Sequence, residues 1–288
     1  MPTSAVQEEI DRFLQTAEYD PLFLRLSGTD HMDRMKRGHT TLEDALWETV
    51  RFAERGLAAS TNLPIPADIA NFTRIKFEPM VRGLFRRDEC DRVLTLLTNS
   101  VIFVTRDNIQ ELIRRESLGT AWDIANLYLR SIGADVISEN APCIVGLLVD
   151  STCFVSTEYF ADEDPFADYV VHEAAHIFHN VKRRTIGLKE KRSCEWLLPI
   201  KFQKRETFAY SCEVYSRIVA LSRRLADRRM LLQELQATLS ISDDRVDTAE
   251  VIEILSEAIE WKWQPKREPA RQPKRELWQS EMEPLRAS

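Results

Sequence analysis

Two histidines and a glutamate have the spacing needed for metal-dependent hydrolysis. Within residues 169–180, His172, Glu173 and His176 form the pattern HExxH. On a helix, residues four positions apart lie on the same face, so both imidazoles can reach one Zn²⁺ ion at about 2.0–2.1 Å. Glu173 lies beside the first histidine, where it can take a proton from a water molecule acidified by the metal. The pattern therefore predicts zinc ligands at His172 and His176 and a general base at Glu173.

The residues around this motif are uncharged, as expected for a helix buried beneath an active-site cleft. They are Val170, Val171, Ala174, Ala175, Ile177 and Phe178. Three polar side chains in so apolar a helix would be costly without a partner that satisfies them. A metal ion would be that partner, and a pair of histidines without a metal is the alternative interpretation.

A third protein ligand is needed to complete a hydrolytic zinc site. The continuation HExxHxxGxxH fails, because His and Lys stand where the glycine and the third histidine would be. Glu206, 30 residues beyond His176, opens a predicted helix and is the preferred third ligand. Glu213 on the same helix is the competing ligand. Glu195 is a weaker candidate, because it lies in an irregular basic segment.

Two more side chains near these ligands could take part in the chemistry. Tyr210 follows Glu206 by four residues, which places both on one face of the predicted helix. Its phenol could hydrogen-bond a tetrahedral oxyanion or orient a ligand, with core packing as the alternative. His179, one turn beyond His176, is expected to be a helix-end or supporting residue rather than a fourth ligand.

These residues resemble the zincin superfamily of metallopeptidases, in its gluzincin branch. A strand at 152–160, a short acidic loop, the HExxH helix and a later ExxA helix with Glu206 and Ala209 are similar to the compact ImmA/IrrE-type peptidases. The resemblance covers about residues 143–225. It implies a zincin-like core, and it implies that 152–160 is an edge strand that binds an extended peptide by β-augmentation.

Departures from known relatives limit what the resemblance implies. No helix-turn-helix is recognisable and the basic stretch 181–205 is a long insertion, so cleavage of transcriptional repressors does not follow. The GxMEN signature of aminopeptidases is absent as well, so exopeptidase activity does not follow. We therefore expect a zinc metallopeptidase, an endopeptidase, that acts on a protein or peptide substrate.

The composition limits the fold class. The chain has 288 residues, of which 44% are hydrophobic and 30% charged, enough to bury a sizeable core in about two domains. Only 8 Gly and 12 Pro are present, which disfavours a sandwich or barrel of many short strands. We expect an α+β protein that is predominantly α-helical, with a small β-sheet or hairpin in the zincin-like core.

The charge and the cysteines favour a cytoplasmic protein that binds neither nucleic acid nor membrane. A net charge of -7 disfavours binding to polyanions. The N-terminal residues are acidic where an export signal would be basic, so we expect no such signal, and no apolar run approaches the ~18 residues of a membrane helix. The cysteines include no CxxC pair and are expected to be buried thiols in a reducing compartment. They are Cys90, Cys143, Cys153, Cys194 and Cys212.

Hydrophobic periodicity divides the chain into three parts. Residues 1–132 are expected to form a helical N-terminal domain of unknown role, residues 133–263 the zincin-like domain, and residues 264–288 a flexible tail with a repeated QPKRE sequence. The predicted helices lie near 4–16, 41–57, 88–98, 107–117, 120–131, 167–180, 206–229 and 248–263. The predicted strands lie at 101–104, 143–149 and 152–160, the last two forming a hairpin.

A basic segment borders the predicted cleft in chain order. Residues 181–205 carry nine Lys or Arg against Glu190 and Glu195, which could attract acidic peptides. A solvated loop is the alternative.

Two other functions stay open at the level of sequence. One is a noncatalytic zincin-like protein with a regulatory or interaction role, and the other is a zinc hydrolase of a non-peptide bond. Glu173 favours an enzyme, because a noncatalytic site has no physical need for a carboxylate beside the first ligand.

Overall fold

The computed structural model describes residues 4–55, 65–161, 164–190, 195–239, 241 and 243–261. Most of these residues are helical, which confirms the predicted α+β class with a predominance of helix. The helices are α1 (Ser4–Thr16), α2 (His31–Glu54), α3 (Ile69–Leu84), α4 (Arg87–Asn99), α5 (Ile109–Arg115), α6 (Leu118–Ser131), α7 (Tyr169–Asn180), α8 (Arg205–Leu221), α9 (Leu225–Thr238) and α10 (Thr248–Trp261). The strands are β1 (Val101–Val104), β2 (Gly146–Val149) and β3 (Thr152–Ser156).

The chain forms two compact units, neither of which is one continuous segment. The first comprises Met1–Ile65, Ile102–Val149 and Phe154–Asp162, and the second comprises Pro66–Val101, Asp150–Cys153 and Glu163–Ser288. The units therefore do not divide the chain at residue 132, where the sequence predicts a domain boundary. Helices α3 and α4 belong to the unit that contains the HExxH segment.

The first unit buries an apolar core between α1, α2, α5 and α6. Its buried side chains include Phe13, Leu46, Val50, Trp122 and Tyr128. The indole N–H of Trp122 donates to the carbonyl of Leu14 at 2.9 Å, so the one polar atom of this side chain is satisfied. The amphipathic spacing predicted for α1 therefore buries one face of that helix.

Helix α2 begins ten residues earlier than predicted, at His31. Asp30 caps it by accepting a hydrogen bond from the amide of Asp33 at 2.9 Å, a signal that hydrophobic spacing alone misses. Gly38 is required within this helix, because a Cβ atom there would lie 2.2 Å from the ring of Phe23.

The three strands form one sheet in the order β1-β3-β2. The predicted hairpin is confirmed, with a turn at Asp150, whose φ is 54°, and Ser151. The amide of Ser156 donates to the carbonyl of Val145 at 2.8 Å, which extends the hairpin beyond β2. The expectation that 152–160 is an edge strand is wrong, because β3 has a neighbour on each side and cannot pair with a peptide.

The second unit packs α3 against α4 and α8, and α8 against α7 and α10. The sequence-based interpretation missed α3 altogether, because Pro79 lies inside it and β-branched and aromatic residues lower its helix propensity. Asp68 caps this helix through the amide of Asn71 at 2.9 Å. Phe77 and Val81 on its buried face belong to the core.

Helix α8 is shorter than predicted, because the expected helix over 206–229 is two helices separated at 222–224. The backbone amide of Arg224 donates to the hydroxyl of Ser222 at 3.3 Å, and the side chain of Arg228 donates to the carbonyl of Ser222 at 2.9 Å. Ser222 therefore offers the backbone an alternative to continuing the helix.

The described residues between α7 and α8 form two short 3₁₀ helices, Arg183–Ile186 and Phe202–Lys204, and part of this predicted irregular segment is interior. The guanidinium of Arg183 is buried and donates to the carboxylate of Glu89, to the carbonyl of Lys189 at 2.9 Å and to the carbonyl of Leu197 at 3.3 Å. Lys182 pairs with Glu195. These charges are neutralised locally, so the surface available to attract acidic peptides is smaller than the sequence suggests.

The cysteines only partly follow the prediction of buried thiols. Cys153 and Cys212 are buried, whereas Cys90 is half-buried and Cys143 is exposed. Cys194 and the predicted tail at 264–288 lie outside the described residues. Within the described ranges, no helix combines the length and the apolar character needed to cross a membrane.

The buried Arg183–Glu89 pair predicts a large effect on stability. Replacing Arg183 with Ala removes the guanidinium that balances the buried Glu89 carboxylate, so we expect a loss of about 3–5 kcal/mol in the free energy of unfolding. Chemical denaturation measures this loss. Arg184→Ala, at an exposed neighbouring position, is the matched control and should change stability by less than about 0.5 kcal/mol. Equal effects of the two substitutions would contradict the role of the pair.

Candidate metal centre

Helix α7 presents the HExxH residues from a buried position. Asp168 caps its N-terminus, with its side chain accepting a hydrogen bond from the amide of Val171 at 3.4 Å. The apolar residues of the motif are buried, as predicted for a helix beneath a cleft. His172 and His176 lie one turn apart, with ring centroids separated by 5.2 Å. The predicted helical spacing therefore brings both imidazoles together.

Glu206, near the start of α8, meets both histidines. Its Oε2 atom lies 3.5 Å from Nε2 of His172 and 3.5 Å from Nε2 of His176. Within the described part of the chain, these are the three residues whose ligand atoms cluster, all within 4.8 Å of one another, as a group that could hold a metal ion. Two ligands bound tetrahedrally at about 2.0–2.1 Å are separated by about 3.4 Å. The two distances from Glu206 to the histidines are close to this separation.

Glu213 approaches His172 from the opposite side of the ring. His172 donates from Nδ1 to Oε2 of Glu213 at 3.0 Å, and the backbone amide of Asp168 donates to Oε1 at 2.6 Å. A carboxylate can only accept, so Nδ1 carries a proton, and Nε2, on the side of Glu206, is the nitrogen that can bind a metal ion. Glu213 is therefore placed to orient the histidine rather than to join the ligand group, a support known to strengthen metal binding.

A lysine from α3 extends this support. Nζ of Lys76 donates to Oδ2 of Asp168 at 2.6 Å, while the other carboxylate oxygen of Asp168 caps α7. Both side chains are largely buried. One aspartate thus links the start of α7 to Lys76 by its side chain and to Glu213 by its backbone. Lys76 and Asp168 carry no motif, so the sequence offers no signal for their role.

The electrostatics of the site favour a bound cation. Burial alone lowers the pKa of His172, but contacts with Glu206 and Glu213 raise it to about 10. Contacts with His172 and His176 lower the pKa of Glu206 below its usual range. The carboxylates therefore stabilise positive charge on the His172 imidazole, and a divalent ion would replace the proton on its ligand nitrogen.

Glu173 lies next to this group on α7. Burial raises the pKa of its carboxyl, and the neighbouring His172 and His176 oppose that shift. None of the described residues hydrogen-bonds this carboxylate, and it stands outside the ligand group. A carboxylate with a raised pKa is suited to accept and return a proton near neutral pH.

Tyr210 also lies at the site, as predicted. Its ring is 4.6 Å from the ring of His172, in an edge-to-face arrangement. Burial, together with the charges of Glu213 and Asp243, raises the pKa of its phenol to about 12. The hydroxyl therefore keeps its proton at neutral pH and is a hydrogen-bond donor.

The remaining candidates are not ligands in this geometry. His179 is buried beside His176, and burial, with Arg205 nearby, lowers the pKa of its ring to about 3. It is therefore a neutral supporting residue and stands outside the ligand group. Glu195 is paired with Lys182 on the connecting segment.

Comparison with known proteins adds no identification. No protein-family model matches the chain, and neither the curated proteins nor the solved structures give a significant match. Its chemistry has to be inferred from the residues of the site. Those residues include the five predicted ones, His172, Glu173, His176, Glu206 and Tyr210.

The two glutamates of α8 should differ in their effect on metal binding. Glu206→Gln removes a ligand and should abolish tight zinc binding. Glu213→Gln should weaken it by about 10–100-fold, because the amide has one acceptor oxygen for two donors. Competition with a chromophoric chelator measures both dissociation constants.

The control for this comparison is Glu234→Gln, an exposed substitution on α9 that should leave zinc affinity unchanged. Circular dichroism establishes that each variant is folded. A larger loss for Glu213→Gln than for Glu206→Gln would reverse the assignment of the third ligand.

Proposed function

We propose that the protein is a zinc-dependent metallopeptidase. The observation that carries the proposal is the group of His172, His176 and Glu206, with Glu173 adjacent and outside it. Three protein ligands are typical of hydrolytic zinc sites, whereas structural zinc sites usually have four. This arrangement supports catalysis over a purely structural ion and agrees with the resemblance to gluzincins.

His172, His176 and Glu206 would hold the metal. When bound, Zn²⁺ acidifies a water molecule and polarises the carbonyl that is attacked. His172 presents Nε2 because Glu213 fixes its tautomer by accepting from Nδ1. The protein contributes this orientation in advance, so the ring of His172 needs little reorientation when the metal ion binds.

Glu173 is the general base of the proposal. Its raised pKa brings proton acceptance closer to neutral pH than for an exposed glutamate. After attack, the same carboxyl can return the proton to the leaving amine. Peptide hydrolysis needs both transfers, and one carboxylate beside the ligands can perform them in turn.

Tyr210 is the proposed donor to the oxyanion. Its phenol keeps its proton, since the pKa is about 12. The proximity of its ring to that of His172 supports a position at the reacting group. A donor aimed at developing negative charge stabilises the transition state more than the bound substrate.

The decisive experiment for this function is the substitution Glu173→Gln. The variant should bind zinc with wild-type stoichiometry and should lose hydrolysis of casein by at least about 10²-fold, because it has no base. Metal analysis and a chelator-sensitive peptide-cleavage assay measure the two properties. Unimpaired hydrolysis would exclude Glu173 as the base, and wild-type protein that binds zinc but cleaves no peptide would contradict a peptidase.

Tyr210→Phe separates catalysis from packing. The substitution retains the ring against His172 and removes only the hydroxyl, so kcat should fall by about 10²–10³-fold with little change in KM or zinc content. Tyr215→Phe is the matched control, because this tyrosine of the same helix packs in the core of α8, α9 and α10. An unchanged kcat for Tyr210→Phe would assign the residue to packing.

A further inference from the structure

The two oxygens of Glu206 face different positive groups. Oε2 is the atom close to both histidine Nε2 atoms, whereas Oε1 lies 3.5 Å from NH1 of Arg245. Arg245 belongs to the connection between α9 and α10, some forty residues further along the chain. One oxygen of the Glu206 carboxylate thus contacts the histidines, and the other contacts the arginine.

The guanidinium of Arg245 cannot bind a substrate carboxylate through two of its N–H groups on the Nε and NH2 side, because Asp243 occupies that side. Nε of Arg245 donates to Oδ1 of Asp243 at 2.9 Å, and NH2 donates to Oδ2 at 2.6 Å. This bidentate pair fixes the plane of the guanidinium. NH1, the remaining nitrogen, is the one directed at Glu206.

The connection that carries Arg245 is anchored to the core of the unit. Val246, the next residue, is buried with Val214 and Ile218 of α8. Its amide donates to the carbonyl of Asp243 at 3.1 Å, which closes a turn around Arg245. The arginine side chain is 65% exposed, so its position depends on this turn and on Asp243 rather than on burial.

We propose that Arg245 is a positioning residue that restricts Glu206 to coordination through a single oxygen. The inference rests on the proposed metal centre. A carboxylate can bind a metal ion through one oxygen or through both. With Oε1 engaged by Arg245, only Oε2 is offered, and one position of a four-coordinate ion is left without a protein ligand. That position is what separates a catalytic zinc site from a closed one.

The test uses the full chain with Arg245→Gln, and zinc and cobalt as the probes. We expect zinc affinity to fall by about 10-fold, since an orienting partner of a ligand is lost. The Co²⁺-substituted variant should show weaker visible absorption than the Co²⁺-substituted wild type, because a second carboxylate oxygen raises the coordination number. Arg245→Lys retains the charge but not the fork, and should restore part of the affinity and absorption.

Arg229→Gln is the matched control. Arg229 forms an ion pair with Glu260 and is about as exposed as Arg245, but it has no contact with the candidate metal site. Its replacement should leave zinc affinity and the cobalt spectrum unchanged. Wild-type affinity and an unaltered cobalt spectrum in Arg245→Gln would overturn the inference while leaving the metal centre intact. Failure of the wild-type protein to bind zinc or cobalt would overturn the metal centre and the inference together.

Discussion

Two histidines lie close to the carboxylates of α7 and α8 in a largely buried site. The negative charge of these carboxylates must be balanced by positive charge. Glu173, Glu206 and Glu213 all act on the charge of His172. Buried carboxylates without cations would cost several kcal/mol each. The raised pKa of His172 favours a proton on its imidazole, which can supply this charge. A divalent ion would meet the same requirement, so the charge of the site favours the cation that the proposed function needs.

The charge balance explains why the supporting residues come from distant parts of the second unit. Lys76 on α3 pairs with Asp168, and Arg245 beyond α9 pairs with Glu206. Each brings a positive charge to a carboxylate that already has another task. Asp168 caps α7 and Glu206 meets the histidines, so neither could be replaced without changing the orientation of a ligand.

How much of this site could be predicted from the sequence depends on how far apart in the chain the interacting residues are. The HExxH spacing depends on one helix alone, so the pairing of His172 with His176 and the position of Glu173 beside them could be predicted. Glu206 could be chosen from its helix, but the separate role of Glu213 depends on the way α8 packs against α7. The supporting lysine and arginine have no local pattern. The prediction that β3 is an edge strand was wrong for the same reason, because β1, some fifty residues earlier in the chain, pairs with β3 on that side.

Helix α8 couples the site to the core of its unit. Glu206, Tyr210 and Glu213 follow one another at four and three residues, so they occupy one face of the helix. Val214 and Ile218 lie on the side packed with α9 and α10, in the cluster that also holds Val246. A rigid helix cannot move one face without the other. The same apolar packing therefore positions the proposed third ligand, the proposed oxyanion donor and the turn that carries Arg245, and the geometry of the candidate metal centre depends on that core.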